Sequence, residues 1–283
     1  MSAGTGDENA QAAETIEFDR LVTPAPLGPG RFSIDVPDGW QQGRGAFGGL
    51  VLAMLARAAE ATAADPSRIL RSLSAQIVGP VQPGPTSITA EVLRAGSSVT
   101  ALTVRMVQAE QVMAHAAVIL ARSRPTYAAA PTLIAPQAPS WRDPLHPIPV
   151  SVRVTPTFAR YLEYWPTSPL PYSGADAGAA QHTSGWVRLR RPGRARDAAF
   201  LLALIDSYWP GFLAAAREPR AAATLTFSFE TMSDLEGLDP EAPLHYRARM
   251  LGGRDGYAVE ARELWGEDGR LVALNQQILA VMK

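Results

Sequence analysis

The chain has 283 residues, a formal net charge of −1, 19% charged residues and no cysteine. This length can bury a sizeable core in one large domain or two ordinary ones, and the balanced charge gives no indication of a nucleic-acid partner. The lack of cysteine excludes a thiolate nucleophile, a redox pair and a cysteine zinc site, and the single lysine, Lys283, excludes a P-loop lysine or an internal Schiff base.

The histidines do not suggest a metal site either. They show no metal-ligand spacing, and we expect them at the surface or at caps: His115, His146, His182 and His245. We therefore predict no metal and no cofactor, which leaves carboxylates, hydroxyls, amides and the backbone to carry any chemistry.

The first segment in chain order, residues 1–16, is small, polar and acidic, and predicts a disordered tail. It lacks the basic start and the apolar core of a signal peptide. No later run approaches the ~20 apolar residues that a membrane span needs. We therefore predict a cytoplasmic protein without a membrane span.

Residues 17–123 predict a helix that is wrapped by antiparallel strands. A strand is predicted over Gly30–Trp40, and the alanine-rich segment Ala46–Ala64 predicts a helix with apolar residues on every side. Several β-branched, partly alternating segments follow, beginning with Arg71–Val81 and separated by short polar turns. Such a helix should be buried on most sides.

A proline-rich segment, residues 124–149, separates this unit from a second one over residues 150–283. Proline cannot donate to a strand ladder and disfavours helix in the residue before it. We interpret residues 124–149 as a linker.

The second unit repeats the plan of the first. Strands are predicted over Val150–Pro156 and Gly185–Gly193, followed by a helix over Arg196–Ala216 that Pro210 ends or kinks. Thr224–Met232 predicts the next strand, and further antiparallel strands complete the unit.

This repeated order predicts an α+β fold of the double hotdog type, with two tandem repeats that each wrap a central helix in an antiparallel sheet. A helix that is apolar all round needs a surface that encloses it, and a curled sheet supplies one. Two such sheets would pair edge to edge and hide two free edges. Two unrelated α+β domains are the alternative.

Segments from both halves resemble one known family. They are AFGGLVLAML, PVSVRV, SGWVRLR, LALIDSYWPGF, AATLTFSFE and DGRLVALNQQ. With them, the chain from about Phe18 onward resembles the medium-chain acyl-CoA thioesterase II family, the TesB-like double-hotdog thioesterases. Members of that family arrange Asp, Thr and Gln around one water, and the resemblance implies Asp206, Thr224 and Gln277 as the matching residues.

The threonine and glutamine positions stay open by a few residues. Thr226 or Ser228 could replace Thr224, and Gln276 could replace Gln277 if the strand register slips by one. Enteric members of the family carry a longer polar and aromatic stretch after the threonine, which leaves the choice of substrate open.

Asp206 is informative without any family, because it interrupts the apolar stretch LLALIDSYW. Burying a carboxylate costs several kcal/mol unless it is paired or hydrogen-bonded, so such a residue usually has a function. If it faces inward, Asp206 could act as general base on a water that Thr224 and Gln277 also hold. The alternative is a solvent-facing aspartate beside Ser207.

Gly48 and Gly49 open the first helix, whose N-terminal N–H groups could bind the oxyanion of a thioester intermediate. The alternative is that the glycines only allow tight packing of helix against sheet. The first helix has no carboxylate that matches Asp206, and the second helix does not begin with a glycine pair. We therefore expect one active site per chain, shared by the two halves.

The resulting hypothesis is an acyl-CoA thioesterase of lipid metabolism that hydrolyses a fatty acyl-CoA to free acid and CoA. One alternative is an enoyl-CoA hydratase or dehydratase on the same fold, which would need a histidine near the start of a central helix. Another is a non-catalytic acyl-CoA-binding double hotdog. Acyl-CoA is the expected partner, and a homo-oligomer is a further open expectation, since hotdog sheets often associate.

Overall fold

The computed structural model describes residues 16–125, 133–143, 146–150 and 155–282. The N-terminal half begins with α1 (Phe18–Leu21), β1 (Ala25–Gly28), β2 (Arg31–Val36), β3 (Gln41–Gln42) and β4 (Gly45–Ala46). Helix α2 (Gly48–Ala63) follows, and then come β5 (Ile69–Ile77), β6 (Gly84–Ala95), β7 (Val99–Gln108) and β8 (Gln111–Ala121). The long apolar helix predicted from the alanine-rich segment is confirmed.

The C-terminal half has the same order of elements. Strands β9 (Leu162–Pro166) and β10 (His182–Leu189) precede helix α3 (Ala198–Ile205). After it come β11 (Ala222–Thr231), β12 (Leu244–Arg254), β13 (Tyr257–Trp265) and β14 (Leu271–Val281). Short 3-10 turns lie at Thr157–Tyr161, Ala179–Gln181 and Gly211–Ala214.

Twelve of the described strands form one sheet in the order β1-β2-β6-β7-β8-β5-β11-β14-β13-β12-β10-β9, and β3 and β4 form a separate two-stranded sheet. The order from either edge is equivalent, with β5 matching β11, β8 matching β14 and β7 matching β13. The halves join where β5 and β11 pair antiparallel, with Ala75 opposite Phe227. The predicted double hotdog with edge-to-edge sheets is therefore confirmed, and the junction pairs two edges that would otherwise be free.

The core lies between this sheet and the two helices. Helix α2 packs on β5 to β8, α3 packs on β10 and β12 to β14, and the helices pack against each other. Residues 50–56 of α2 are at most 1% exposed, so burial of apolar surface drives its docking. Arg57 Nη1 lies 2.6 Å from Oδ2 of Asp197, whose Oδ1 caps α3 by accepting the N–H of Ala199.

Helix α3 is shorter than predicted. It ends at Ile205, not at Pro210 or Ala216, and Asp206 is its C-cap. The Ser207 hydroxyl donates to the Leu204 carbonyl at 2.7 Å, and the buried Tyr208 hydroxyl donates to the Trp186 carbonyl. The Ser207 contact closes the last turn of the helix locally, and the Tyr208 contact directs the chain toward β10, so α3 ends before Pro210.

The strand that pairs with β10 also differs from the prediction. Residues 151–154 of the predicted strand Val150–Pro156 lie outside the described residues, and Val150, Thr155 and Pro156 are not in a strand. In the sheet, β10 lies between β12 and the edge strand β9, and no element was predicted for the segment that forms β9.

The ends of the predicted units are only partly described. Residues 1–15 of the predicted tail and residues 126–132, 144 and 145 of the predicted linker lie outside the described residues. The described part of the linker forms no helix or strand. Across the described chain, helices lack the combined length and apolarity that spanning a bilayer requires.

Candidate active site

Asp206 follows the last residue of α3 and lies against the first turn of α2. A Cβ atom on Gly48 would be 2.6 Å from the Asp206 Oδ2 atom, so the carboxylate touches the start of the N-terminal helix. Asp206 is 6% exposed, and the alternative of a solvent-facing aspartate is wrong. The two halves of the chain thus meet at this carboxylate.

Two further charged side chains, both on β13, share this buried environment. Arg262 Nη1 lies 3.2 Å from Asp206 Oδ1, and Arg262 Nε donates to Oε2 of Glu260 at 2.8 Å. Arg262 is 2% exposed and Glu260 is 0% exposed. Taking all three charges out of water is costly, and their mutual attraction must offset that cost.

Gln277 of β14 connects Thr224 of β11 to the charged group. One end of its amide lies 2.9 Å from Thr224 Oγ1, and the other end lies 2.6 to 2.7 Å from the guanidinium nitrogens of Arg262. A guanidinium can only donate, so the amide oxygen faces Arg262 and the amide nitrogen donates to Thr224 Oγ1. The Thr224 hydroxyl can then donate its own proton to a ligand.

A β-bulge turns Thr224 toward Gln277. Thr224 pairs with Leu279 and Thr226 pairs with Ile278, so Leu225 is the extra residue on β11. Without the bulge, strict alternation would place Thr224 on the face opposite the buried Phe227. The bulge brings it instead to the inner face.

The alternative residues lie elsewhere. Gln276 is exposed and pairs with Ser228, whose hydroxyl donates to the Gln276 carbonyl at 3.4 Å. Thr226 and Ser228 both alternate with the buried Phe227, so they share the outer face of the sheet. The structure brings Thr224 and Gln277 together beside the charged group and leaves the alternatives outside it.

Burial raises the pKa of the Asp206 carboxyl from its ordinary 3.8 to about 6. The positive charge of Arg262, the backbone N–H of Gly49 and the Gln277 side chain oppose this rise in pKa, while Glu260 adds to it. The amide oxygen of Gln277 faces Arg262 and its amide nitrogen faces Thr224, so Gln277 offers Asp206 no donor. We therefore attribute the lowering of the Asp206 pKa to Arg262 and Gly49. Asp206 is therefore ionised at neutral pH and basic enough to accept a proton from water.

The two glycines at the start of α2 allow the helices to approach each other. A Cβ atom on Gly49 would be 2.9 Å from the Leu202 carbonyl oxygen of α3. The backbone N–H of Gly49 also lowers the pKa of the Asp206 carboxyl, as expected for a helix N-terminus beside an anion. The Gly48 N–H has no acceptor among the described residues.

The matching place in the N-terminal half is apolar. Strands β7 and β8 occupy the positions in the sheet that β13 and β14 occupy in the other half. Their buried side chains there are Leu102, Val104, Met106, Ala114, Ala116 and Val118. Nothing on these strands corresponds to Glu260, Arg262 or Gln277, so the polar group is confined to one side of the pseudo-symmetric fold.

Two surface clefts are lined by none of these residues, and no histidine of the described chain hydrogen-bonds to the group. One surface cleft of about 290 Å³ lies beside Leu238 and Asp268, and another of about 220 Å³ lies beside Trp40 and Arg190. His245 is 3% exposed and packs on Trp186, which corrects the expectation that every histidine lies at the surface or at a cap.

Sequence analysis missed Glu260 and Arg262, although β13 carries a signal for them. Ala258, Glu260, Arg262 and Leu264 are spaced two apart and therefore share one face of the strand. An acid and a base on the face that also carries alanine and leucine indicate a buried charged pair.

Models of one protein family match most of the chain. The acyl-CoA thioesterase N-terminal domain matches residues 36–121, and the acyl-CoA thioesterase C-terminal domain matches residues 129–281. The two hotdog halves are therefore the two domains of a thioester hydrolase. The chain belongs to the acyl-CoA thioesterase family.

Solved structures share the fold over almost the whole chain. A hot dog fold protein of unknown function from Alicyclobacillus acidocaldarius is 23% identical, with a TM-score of 0.82 over 94% of this chain and 98% of that one. A putative thioesterase II from Thermobifida fusca is 22% identical, with a TM-score of 0.80 over 95% and 99%. A tesB protein from Mycobacterium avium subs paratuberculosis is 18% identical, with a TM-score of 0.75 over 94% and 98%. No curated protein sequence matches the chain.

Proposed function

We propose that this chain hydrolyses a fatty acyl-CoA to free acid and CoA, with Asp206 as the general base. The observation that carries the proposal is the burial of Asp206 beside Arg262, Thr224 and Gln277 at the junction of the two halves. Burying a carboxylate costs free energy, so a carboxylate buried at this junction indicates a function.

In the proposed reaction, a water held between Asp206 and the Thr224 hydroxyl attacks the thioester carbonyl carbon. The water gives one proton to Asp206 as its oxygen bonds to that carbon. When the tetrahedral intermediate collapses, the C–S bond breaks and the CoA thiolate leaves with the proton from Asp206. The products are a free acid and CoA, and Asp206 is again ionised.

The oxyanion of the intermediate would lie at the N-terminus of α2. Gly48 and Gly49 supply backbone N–H groups there, and the helix dipole favours negative charge. Because Gly49 already contributes to Asp206, we assign the main contact to the Gly48 N–H. Supporting this arrangement, the helix start from one half and the base from the other lie side by side.

The alternative functions receive less support. Asp206 is paired with an arginine, and the geometry places His245 on Trp186, whereas a hydratase would need a histidine at the site. An exposed or isolated Asp206 would support a non-catalytic acyl-CoA-binding protein, but Asp206 is buried and paired with Arg262. The cytoplasmic location, the role in lipid metabolism, the boundaries of the units and a homo-oligomer stay predictions.

The decisive test is CoA release from saturated acyl-CoAs of increasing chain length by the wild type and by Asp206→Asn. We expect hydrolysis by the wild type and a loss of about 10²- to 10⁴-fold in kcat in the variant, the usual contribution of a general base. Asp255→Asn is the matched control, because Asp255 is 77% exposed and lies in a turn. Undiminished hydrolysis by Asp206→Asn would contradict the proposal.

A further inference from the structure

Arg262 is the common partner of Asp206, Glu260 and Gln277. Besides Asp206 and Glu260, its guanidinium contacts the Gln277 amide, and its Nη1 donates to the Ile205 carbonyl at 3.3 Å. Ile205 is the last residue of α3, so Arg262 also binds the helix end that carries Asp206. One planar side chain thus fixes both the base and the amide beside it.

Stability alone does not explain this arrangement. A buried ion group is often no more stabilising than well-packed apolar side chains of similar volume, because desolvation cancels much of the attraction. The matching strands of the N-terminal half fill the same place with leucine, valine and methionine. Apolar side chains can therefore fill this place in the fold. The buried charges of the C-terminal half indicate a function that is specific to that half.

We propose that Arg262, itself held by Glu260, is a positioning residue that fixes the Asp206 carboxylate and the Gln277 amide for the reaction, an inference that rests on the proposed function. Its planar fork presents several donors at once in a rigid geometry, which a lysine cannot do. With Arg262 in place, the Gln277 oxygen faces the guanidinium and the Gln277 nitrogen faces Thr224. This leaves both the Thr224 proton and the Asp206 carboxylate directed at the water.

Glu260 binds Arg262 and also contacts the segment that follows Asp206. Its Oε2 accepts from Arg262, and its Oε1 accepts the N–H of Gly211 at 3.0 Å. Gly211 lies in the segment that follows Asp206, so this contact also fixes the chain on which the base is carried. Glu260 therefore orients Arg262 and, at the same time, anchors the segment after Asp206 that contains Gly211.

Removing the charge of Arg262 and removing the charge of Glu260 should have opposite effects on the pKa of Asp206. The ionisable groups that face Asp206 are Arg262, Glu260, Tyr246 and Tyr164. Loss of the Arg262 charge removes the attraction that opposes burial, so the pKa of Asp206 should rise. Loss of the Glu260 charge removes a repulsion, so the pKa of Asp206 should fall.

The test compares Arg262→Gln and Glu260→Gln in the pH profile of kcat/KM for an acyl-CoA that the wild type hydrolyses. We expect the acid limb of the profile to move up in Arg262→Gln, by about 1–3 pH units as for other carboxylates beside a charge, and to move down in Glu260→Gln. The control is Arg247→Gln, which breaks a half-exposed pair with Glu263 at 2.6 Å on the outer face and should leave the limb in place.

A substrate-free measurement keeps this inference separable from the proposed function. Carbon-13 NMR of the Asp206 carboxyl, assigned with Asp206→Asn, should show the same opposite movements of its titration midpoint. If the wild type hydrolyses no acyl-CoA, the proposed function fails, and the NMR midpoints still decide whether Arg262 and Glu260 control Asp206.

Each outcome decides the inference. Opposite movements of the limb and of the NMR midpoint support it, whereas equal losses of rate at every pH with unmoved midpoints would show a purely structural role. If Arg262→Gln does not fold, Arg262→Lys keeps the charge and should keep the limb near its wild-type position while kcat falls. A Lys variant with full kcat would overturn the positioning role.

Discussion

The Nη1 atom of Arg262 lies 3.2 Å from Oδ1 of Asp206, and the two side chains are 2% and 5% exposed. A general base needs a pKa high enough to accept a proton and low enough to be ionised when the substrate arrives. Burial acts in the first direction and Arg262 in the second, so the reactivity of Asp206 depends on a balance between two large effects.

This balance predicts the pH dependence of the reaction. Only the ionised Asp206 can accept a proton, and its pKa is about 6. We expect kcat/KM to rise from pH 5 to pH 7 with a midpoint near 6, as measured by CoA release in a constant-ionic-strength buffer series. A flat profile between pH 4 and pH 7 would show that another group is the base.

The same pKa predicts that Asp206 destabilises the folded protein at neutral pH. Its pKa is raised on folding, so the folded state binds the proton more tightly than the unfolded state. The stability contributed by protonation is complete below the unfolded pKa of 3.8 and is lost as the pH rises to about 6. Asp206→Asn should therefore increase the free energy of unfolding at pH 8 by on the order of 1–3 kcal/mol while it lowers kcat.

Urea denaturation at two pH values checks this prediction. At pH 8 the midpoint of Asp206→Asn should exceed that of the wild type, and at pH 4, where the wild-type carboxyl is largely protonated in the folded state, the difference should shrink. A variant that is less stable than the wild type at pH 8 would show that the ion pair with Arg262 outweighs the cost of burial.

The sequence predicted the fold better than it predicted the site. The repeat of an apolar helix followed by strands was visible as pattern, because burial on all sides leaves an all-apolar helix in the sequence. The position of Asp206 was predicted for the same reason, since a carboxylate stands out in LLALIDSYW. The early end of α3 at Ile205 was not predicted, because the contact of Tyr208 with the distant Trp186 contributes to it.

The geometry around the base depended on features that local sequence does not specify. The bulge at Leu225 decides which face Thr224 occupies, and neither propensity nor alternation locates such an insertion. Glu260 and Arg262 share a face with Ala258 and Leu264, but charged residues on a strand are assigned to the solvent face by default, so this pattern alone did not predict their burial. Knowing which face of β13 meets α3 requires the assembled sheet.

The bulge leads to a prediction that separates Thr224 from its alternatives. Thr224→Val keeps the shape of the side chain and removes the hydroxyl that faces the water, so kcat should fall by about 10-fold or more, the value of one hydrogen bond of about 1.5 kcal/mol. Ser228→Ala removes a hydroxyl on the outer face, four residues along the same strand, and should leave kcat unchanged. Steady-state kinetics of both variants decide between them, and a larger loss in Ser228→Ala would reverse the assignment.

Gly48 gives a prediction about the junction of the two halves. An added Cβ atom would lie 2.6 Å from Asp206 Oδ2 and 3.3 Å from the Ile77 side chain, so the carboxylate must turn away. The change Gly48→Ala should therefore lower kcat by about 10-fold or more, a substantial part of a general-base contribution. Gly48 does not have a positive φ, and alanine is favoured over glycine in helices by up to ~1 kcal/mol, so helix propensity itself does not oppose the change.

Gly252→Ala is the control for this substitution, because a Cβ atom there would meet nothing within 4 Å. It should leave both kcat and thermal stability close to the wild type. If Gly48→Ala keeps the wild-type kcat while its melting temperature stays unchanged, the contact between the start of α2 and the carboxylate has no catalytic role. A loss of kcat without a loss of folded protein would instead show that the start of α2 takes part in the reaction, through its contact with the base or through the oxyanion contact assigned to Gly48.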